Sequence, residues 1–168
     1  VVPHDTKSET IQALFPDGIL LSNGPGNPND LSEQIDTVKE LIGHYPMFGI
    51  GLGHQLLALA SGAKVEKMKH GRYGVNIPVK NIATNRTDLT SQSHGYQVDP
   101  SSLVGTGLEL THYALNDESV QGLKHVEKNF FSVQFHPEGA PGPVDAVTTF
   151  GDFIRLIKKV RREGKQNA

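Results

Sequence analysis

The chain has 168 residues, a net charge of −2 at pH 7 and a hydrophobic fraction of 36%. That length suits one domain with its own core, and the charge balance gives no electrostatic reason to expect nucleic acid or an anionic membrane as a partner. Because the chain has no cysteine, disulfides and thiolate metal sites are excluded. The apolar runs are too short to span a bilayer, and no stretch resembles a signal peptide, so the sequence predicts a cytoplasmic protein.

The first part of the chain predicts strands that alternate with helices. Residues 1–3 resemble the end of a strand, and a short helix is predicted over 7–14 with Ser8 as its cap. Bounded apolar runs then indicate strands, and apolar residues with a helical period indicate helices. These elements are, in chain order, strand 18–22, helix 30–42, strand 46–50 and helix 53–60.

The second part predicts short strands separated by turns, followed by a terminal amphipathic helix over 145–161. The strands are predicted at 63–68, 75–79, 87–91, 97–99, 109–114, 120–125 and 130–135. The basic end of the terminal helix is interpreted as a solvated face that suits a helix C-terminus. The order of elements predicts an α/β fold with a mostly parallel central sheet and an antiparallel extension.

Glycine alternates with aliphatic residues in GIGLG, residues 49–53, between a predicted strand and a predicted helix. A dinucleotide fingerprint needs G-x-G-x-x-G, and here the third glycine comes one residue early, while the G-K-[ST] of a P-loop is absent. The other strand-turn-helix device is the nucleophile elbow. Gly51 would be its apex, and Leu52 would offer a backbone N–H suited to an oxyanion.

A second candidate motif ends the predicted strand at 130–135. His136 and Glu138 are two residues apart, so their side chains can lie on one side of an extended segment. This pairing suits a base and the carboxylate that orients it. The H-x-E pattern of zinc deaminases needs a cysteine pair that the chain lacks. By itself the motif also fits a turn that ends a strand. Of the other histidines, His54 is interpreted as a residue that packs or caps, and His94 as a structural residue under its loop.

Four segments, in order along the chain, carry a resemblance to a known family: SNGPGNP (22–28), GIGLGHQLLALASGAK (49–64), TSQSHGYQVD (90–99) and FSVQFHPEGAPGP (131–143). The chain resembles the class I (triad-type) glutamine amidotransferases, and within them the glutaminase domain of the carbamoyl phosphate synthetase small subunit. The resemblance implies a three-layer, flavodoxin-like fold and one domain over residues 1–168. It also implies that the family's N-terminal strand and helix are missing.

The chemistry implied by this resemblance is the hydrolysis of L-glutamine. In the family, a cysteine attacks the amide carbon, ammonia leaves, and the thioester is hydrolysed. Gly51 stands at the cysteine position of the family's G-I-C-L-G-H-Q, with His136 as base and acid and Glu138 as its orienting partner. The N–H groups of Leu52 and Gly24 would form the oxyanion hole. Contacts with glutamine are implied at Gly26, Gln55, Ser93 (asparagine in the family), Gly95 and Tyr96.

Because Gly51 has no atom that can attack, the sequence predicts a chain without glutaminase activity. Glycine escapes the strain of about 1–3 kcal/mol that a side chain meets at an elbow apex, so the fold should stay intact. The first hypothesis is a glutaminase domain that has lost its nucleophile. The second is a non-catalytic pseudo-glutaminase that stabilises an ammonia-dependent synthetase, and the third is an unrelated three-layer domain.

The resemblance also implies a partner, the carbamoyl phosphate synthetase large subunit. That subunit would carry ATP and magnesium, and the sequence predicts no cofactor or metal on this chain. It likewise predicts no binding to nucleic acid or membrane. The product of such a complex serves arginine or pyrimidine biosynthesis, and the sequence leaves both open.

Overall fold

A computed structural model describes residues 1–139 and 142–166, with the backbone alone at 165 and 166. Within these residues seven strands form one mixed sheet in the order β1-β2-β7-β6-β5-β3-β4. The strands are β1 Ile19–Leu21, β2 Met47–Ile50, β3 Val65–Asn81, β4 Thr87–Val98, β5 Leu108–Ala114, β6 Val120–His125 and β7 Phe130–Val133. The helices are α1 Ser8–Gln12, α2 Ser32–Leu41, α3 Leu52–Ala60 and α4 Thr148–Gln166. None of these helices is long and apolar enough to cross a membrane.

The sheet confirms the predicted α/β fold class, with a parallel part and an antiparallel extension, but the described sheet is mixed rather than mostly parallel. Strands β1, β2 and β7 pair in parallel, and β7, β6, β5, β3 and β4 pair antiparallel in that order. The extension is the larger part of the described sheet, because β3 and β4 are two long strands where the sequence predicted four short ones. The pairing of β3 with β4 shifts register between Lys67 and Arg72 and between Gly74 and Ile77. Bulges therefore absorb the residues that resembled turns.

Helices cover both faces of the sheet, which gives the three layers that the resemblance implies. Successive residues of a strand face opposite sides, so Met47 packs with Leu41 and Leu57 in the core under α2 and α3. Its neighbour Phe48 lies in the core under α4. There the ring of Phe48 stacks on that of Phe131, with centroids 4.7 Å apart.

The N-terminal segment differs from two predictions. Residues 1–3 form no strand in the described structure, and α1 is shorter than the predicted helix. Ser8 is not the cap of α1: Lys7 holds that position without a side-chain hydrogen bond. Instead, the buried Ser8 hydroxyl donates to the Glu40 carboxylate of α2. A partner far away in the sequence therefore replaced the local capping contact that serine usually makes.

Helix α3 lies very close to β1 and β2 because two residues of the GIGLG turn lack side chains. A Cβ atom on Gly53 would lie 2.8 Å from the carbonyl carbon of Leu21 and closer still to its oxygen. A Cβ atom on Gly49 would lie 2.6 Å from the carbonyl oxygen of Gly53. Both obstacles are backbone atoms, which cannot rotate away. Glycine at these two positions therefore permits the tight strand-to-helix turn that has Gly51 at its apex.

Candidate active site

The three parallel strands end at one edge of the sheet, and each is followed by one of the predicted motifs. SNGPGNP directly follows β1, Gly51 directly follows β2, and His136 lies three residues beyond the end of β7. The Gly51 N–H donates to the Val133 carbonyl at 2.9 Å, which fixes the elbow against β7. The carboxyl edge of parallel strands is where open α/β sheets bind ligands.

Gly51 has the backbone geometry of a strained strand-to-helix turn. Its φ is 56° and its ψ is −108°, and it immediately precedes the first residue of α3. Residues with a side chain rarely adopt a positive φ. The geometry matches the sharp turn of a nucleophile elbow, in which the apex residue is held in strain and presented at the top of the sheet. Glycine adopts it with little strain.

This geometry predicts the stability of variants at the apex. We expect Gly51→Ala and Gly51→Cys each to lower the free energy of unfolding by about 1–3 kcal/mol, because an L side chain is strained at this φ and ψ. Chemical denaturation measures the difference. Gly164→Ala is the control: it lies in α4 with open space around it, and alanine there should stabilise by about 0.5–1 kcal/mol. A Gly51→Cys chain more stable than the native chain would contradict the strain argument.

The loop after β1 covers the start of α3. Asn23 Oδ1 accepts a hydrogen bond from the Leu52 N–H at 3.0 Å. A Cβ atom on Gly24 would lie 3.0 Å from Leu52 Cδ2, so Gly24 and Leu52 are neighbours. The two residues expected to form the oxyanion hole therefore lie together, and Asn23 lies beside them. The sequence did not single out Asn23: asparagine is a common capping residue, but its partner lies 29 residues further along the chain.

His136 and Glu138 form the contact that their spacing predicts. The Nδ1 atom of His136 lies 2.8 Å from Glu138 Oε1. The His136 backbone N–H donates to the Ser91 carbonyl at 2.9 Å, which joins the end of β7 to β4. With Nδ1–H held by the carboxylate, Nε2 is the nitrogen that remains for proton transfer, as in a triad. The His136 side chain is 19% exposed, so the pair lies near the surface.

Gln55 connects α3 to β4 and β7 inside the protein. It is 4% exposed, and its Nε2 donates to the Tyr96 carbonyl at 3.0 Å and to Gln134 Oε1 at 2.9 Å. Gln134 precedes His136 by two residues and was not predicted from the sequence. The only sequence signal for Gln134 was that a polar residue stands at the end of a buried strand. Gln55 therefore holds β4 and the segment that carries His136 against α3.

The other expected substrate positions lie on β4 and on the loop after β1. Ser93 is exposed and pairs with Tyr73 of β3, and a Cβ atom on Gly95 would lie 3.7 Å from the Tyr73 hydroxyl. Gly26 is exposed in the loop after β1, with a φ of 101°. Ser93 and Gly95 therefore both lie on β4, one strand of the long β3–β4 hairpin.

Comparison with known proteins decides the family. Residues 1–156 match the family model described as glutamine amidotransferase class-I. The chain belongs to the class-I glutamine amidotransferase family. A crystal structure described as that of a GMP synthase subunit from Thermoplasma acidophilum shares the fold, with a TM-score of 0.82 and 25% identity. The match covers 98% of this chain and 83% of that chain.

Curated relatives give a narrower likeness. The chain is 53% identical over 166 residues to the carbamoyl phosphate synthase small chain of Bacillus cereus (strain ZK / E33L), a match that covers 99% of this chain and 46% of the relative. It is 54% identical over 167 residues to the same-named protein of Oceanobacillus iheyensis, covering 98% and 46%. The chain therefore spans about half the length of the curated relatives it matches.

Two histidines near the site of this amidotransferase domain have lowered pKa values: His54 is fully buried and His94 is half-buried. His54 is fully buried in α3, and its Nδ1 lies 2.9 Å from the Ser132 hydroxyl. Burial lowers its pKa to about 3. His94 of β4 has Nδ1 at 2.8 Å from the Tyr96 carbonyl, and burial lowers its pKa to about 4. These contacts agree with the interpretation that both histidines pack within the structure.

Burial of His54 predicts a loss of stability in acid. Its pKa is about 3 in the folded chain against 6.5 for an unperturbed histidine. As the pH falls, the unfolded chain therefore takes up the proton first. The contribution of His54 to the free energy of unfolding is at its full value above about pH 6.5 and declines as the pH falls toward about 3. Between about pH 7 and pH 5 we expect His54 to lower the free energy of unfolding by about 2 kcal/mol.

Denaturant titrations at these two pH values measure that loss. His54→Gln should reduce the decline, whereas His44→Gln, which changes an exposed loop residue, should leave it as in the native chain. Equal declines in the native chain and His54→Gln would show that His54 is not the source of the acid sensitivity.

Proposed function

We propose that this chain is the glutaminase domain of a carbamoyl phosphate synthetase small subunit that has lost its nucleophile. The substrate site is specific for L-glutamine, and the partner is the synthetase large subunit, which carries ATP and magnesium. With Gly51 at the nucleophile position, the chain binds glutamine and does not hydrolyse it. The whole of residues 1–168 belongs to this one domain, and the protein works in the cytoplasm.

The observation that carries this proposal is the elbow itself. A positive φ at Gly51, a helix that starts at Leu52, and the His136–Glu138 pair at the same sheet edge together suit nucleophilic acyl transfer. The identity of more than half of the residues to proteins named carbamoyl phosphate synthase small chain supports this branch of the family.

Each residue has a role in the reaction that a nucleophile at position 51 would perform. His136 Nε2 takes the proton of the attacking thiol and later gives it to the leaving ammonia, while Glu138 holds the imidazole in position. The N–H groups of Leu52 and Gly24 stabilise the negative charge that develops on the amide oxygen. Gly26, Gln55, Ser93, Gly95 and Tyr96 bind and orient glutamine.

The alternative is a pseudo-glutaminase that stabilises a synthetase working on free ammonia. The observation that favours it is that Gly51 fits its backbone conformation without strain. In this case the synthetase would respond to the presence of the chain and not to glutamine.

Two measurements on the full-length subunit test the proposal. Isothermal titration with L-glutamine should give saturable binding, with D-glutamine as the control that does not bind. The ammonia-dependent rate of the large subunit is then measured with and without the small subunit. A rise in that rate without any glutamine binding would favour the pseudo-glutaminase. If glutamine does not bind and the rate does not rise, both proposals are overturned.

A further inference from the structure

The side chain of Asn23 lies over the apex of the elbow. Its Oδ1 accepts the hydrogen bond from the Leu52 N–H at 3.0 Å. A Cβ atom on Gly51 would lie 2.6 Å from Asn23 Cγ and closer still to Oδ1. Such separations lie well inside van der Waals contact. The Asn23 carboxamide therefore occupies volume that any side chain at position 51 needs.

The same contact uses a donor that the proposed reaction requires. There the Leu52 N–H receives the carboxamide oxygen of glutamine as it becomes an oxyanion. An N–H aligned on one acceptor is not aligned on a second. Asparagine ends in the same primary carboxamide as glutamine, so the Asn23 side chain satisfies this donor with the chemical group of the substrate.

We propose that Asn23 competes with the substrate from within the protein. Its carboxamide blocks the Leu52 N–H and the apex of the elbow unless the Asn23 side chain rotates into solvent. This inference rests on the proposed glutaminase function. Asn23 is exposed, so its side chain has solvent to turn into. Rotation of the side chain breaks one hydrogen bond between neutral groups, which corresponds to a factor of about 2–10 in the equilibrium constant between the two side-chain positions.

A simple helix cap would behave differently. If Asn23 only satisfied the first free N–H of α3, its removal would loosen the elbow, and glutamine binding would weaken or stay the same. If it competes with the substrate, its removal frees the Leu52 N–H, and glutamine binds more tightly. The two roles therefore predict different signs for the change in the dissociation constant.

Glutamine titration of the full-length subunit separates these roles. We expect Asn23→Ala to lower the dissociation constant about 2–10-fold. Asn23→Asp should raise it, because a carboxylate accepts the Leu52 N–H more strongly. Asn27→Ala is the matched control: its Oδ1 accepts from the Asn29 N–H within the same loop, and the dissociation constant should not change. Unchanged or weaker binding by Asn23→Ala would overturn the inference.

A second measurement does not depend on glutamine. Because the Asn23 carboxamide occupies the volume next to position 51, part of the stability that Gly51→Ala loses comes from displacing this carboxamide from the Leu52 N–H. We expect that loss to be smaller in an Asn23→Ala background, by a factor of about 2–10 in the unfolding equilibrium constant, and to be unchanged in an Asn27→Ala background. Chemical denaturation of the single and double variants measures these losses. Equal losses with and without Asn23 would overturn the inference.

The two measurements also distinguish this inference from the proposed function. Absence of glutamine binding in every variant, together with a smaller loss of stability from Gly51→Ala in the Asn23→Ala background, would reject the glutaminase proposal and leave the closed elbow in place. Circular dichroism of each variant shows that it is folded before its affinity or stability is compared.

Discussion

Gly51→Cys is expected to raise glutamine-dependent ammonia release, the activity of the proposed function, by a factor of about 10⁴ or more, since removing the nucleophile of a catalytic triad costs on the order of 10⁶ in kcat. Two observations support this expectation. Gly51 has the positive φ of an elbow apex, and His136 Nδ1 lies 2.8 Å from Glu138 Oε1. A coupled assay for glutamate and ammonia measures the gain. The expected factor is smaller than the full cost because the cysteine must displace Asn23 and accept backbone strain.

The matched control for this gain is Gly51→Ala. Alanine places the same Cβ against Asn23 and meets the same backbone strain, but it has no atom that can attack. It should therefore lose the same stability as Gly51→Cys and gain no activity. Glutamine bound to Gly51→Cys without any ammonia release would contradict the assignment of position 51 as the nucleophile position.

In the Gly51→Cys background, His136→Asn should remove most of the restored activity, by a factor of about 10⁴–10⁶. Asparagine cannot take the thiol proton, and the thiol is a much weaker nucleophile than the thiolate. Glu138→Gln should remove less, about 10²–10⁴, because the amide no longer holds the imidazole in one tautomer but leaves the base in place. The steady-state kcat of each double variant gives the two factors.

Two other substitutions are the controls for this pair. His44→Asn and Glu109→Gln make the same chemical changes away from the site: His44 lies before β2, at the opposite end of that strand from Gly51, and Glu109 lies on β5, paired with Lys124. Both should retain the restored activity. A Glu138→Gln loss larger than that of His136→Asn would reverse the roles proposed for the pair.

The glycines of GIGLG divide two physical tasks. Gly49 and Gly53 meet backbone atoms, so a side chain at either position would push α3 away from β1 and β2. Gly51 instead has the unusual backbone dihedral angles and faces the exposed side chain of Asn23. A side chain at the apex is therefore strained but accommodated, whereas the flanking positions have no such freedom. Position 51 can therefore accept a side chain, whereas glycine at the two flanking positions keeps the turn tight.

The sequence was sufficient to identify the family, and it predicted where the candidate site lies. Its motifs are contiguous, so the elbow at 49–53 and the H-x-E at 136–138 could be located without a fold. The two-residue spacing of His136 and Glu138 also predicted their contact, since neighbours of that kind meet in extended chain. The roles of these residues in catalysis stay predictions until the variants above are measured.

Contacts between residues far apart in the chain could be seen only in the folded structure. Asn23 reaches Leu52, Gln55 reaches Tyr96 and Gln134, and Ser8 reaches Glu40 in place of capping its own helix. The long strands β3 and β4 likewise continue through bulges that resembled turns. Helical and strand periodicities report which face of an element is buried, and they contain no information on which distant polar group will meet which. Only the packed chain brought the Asn23 carboxamide to the place where the elbow lacks a side chain.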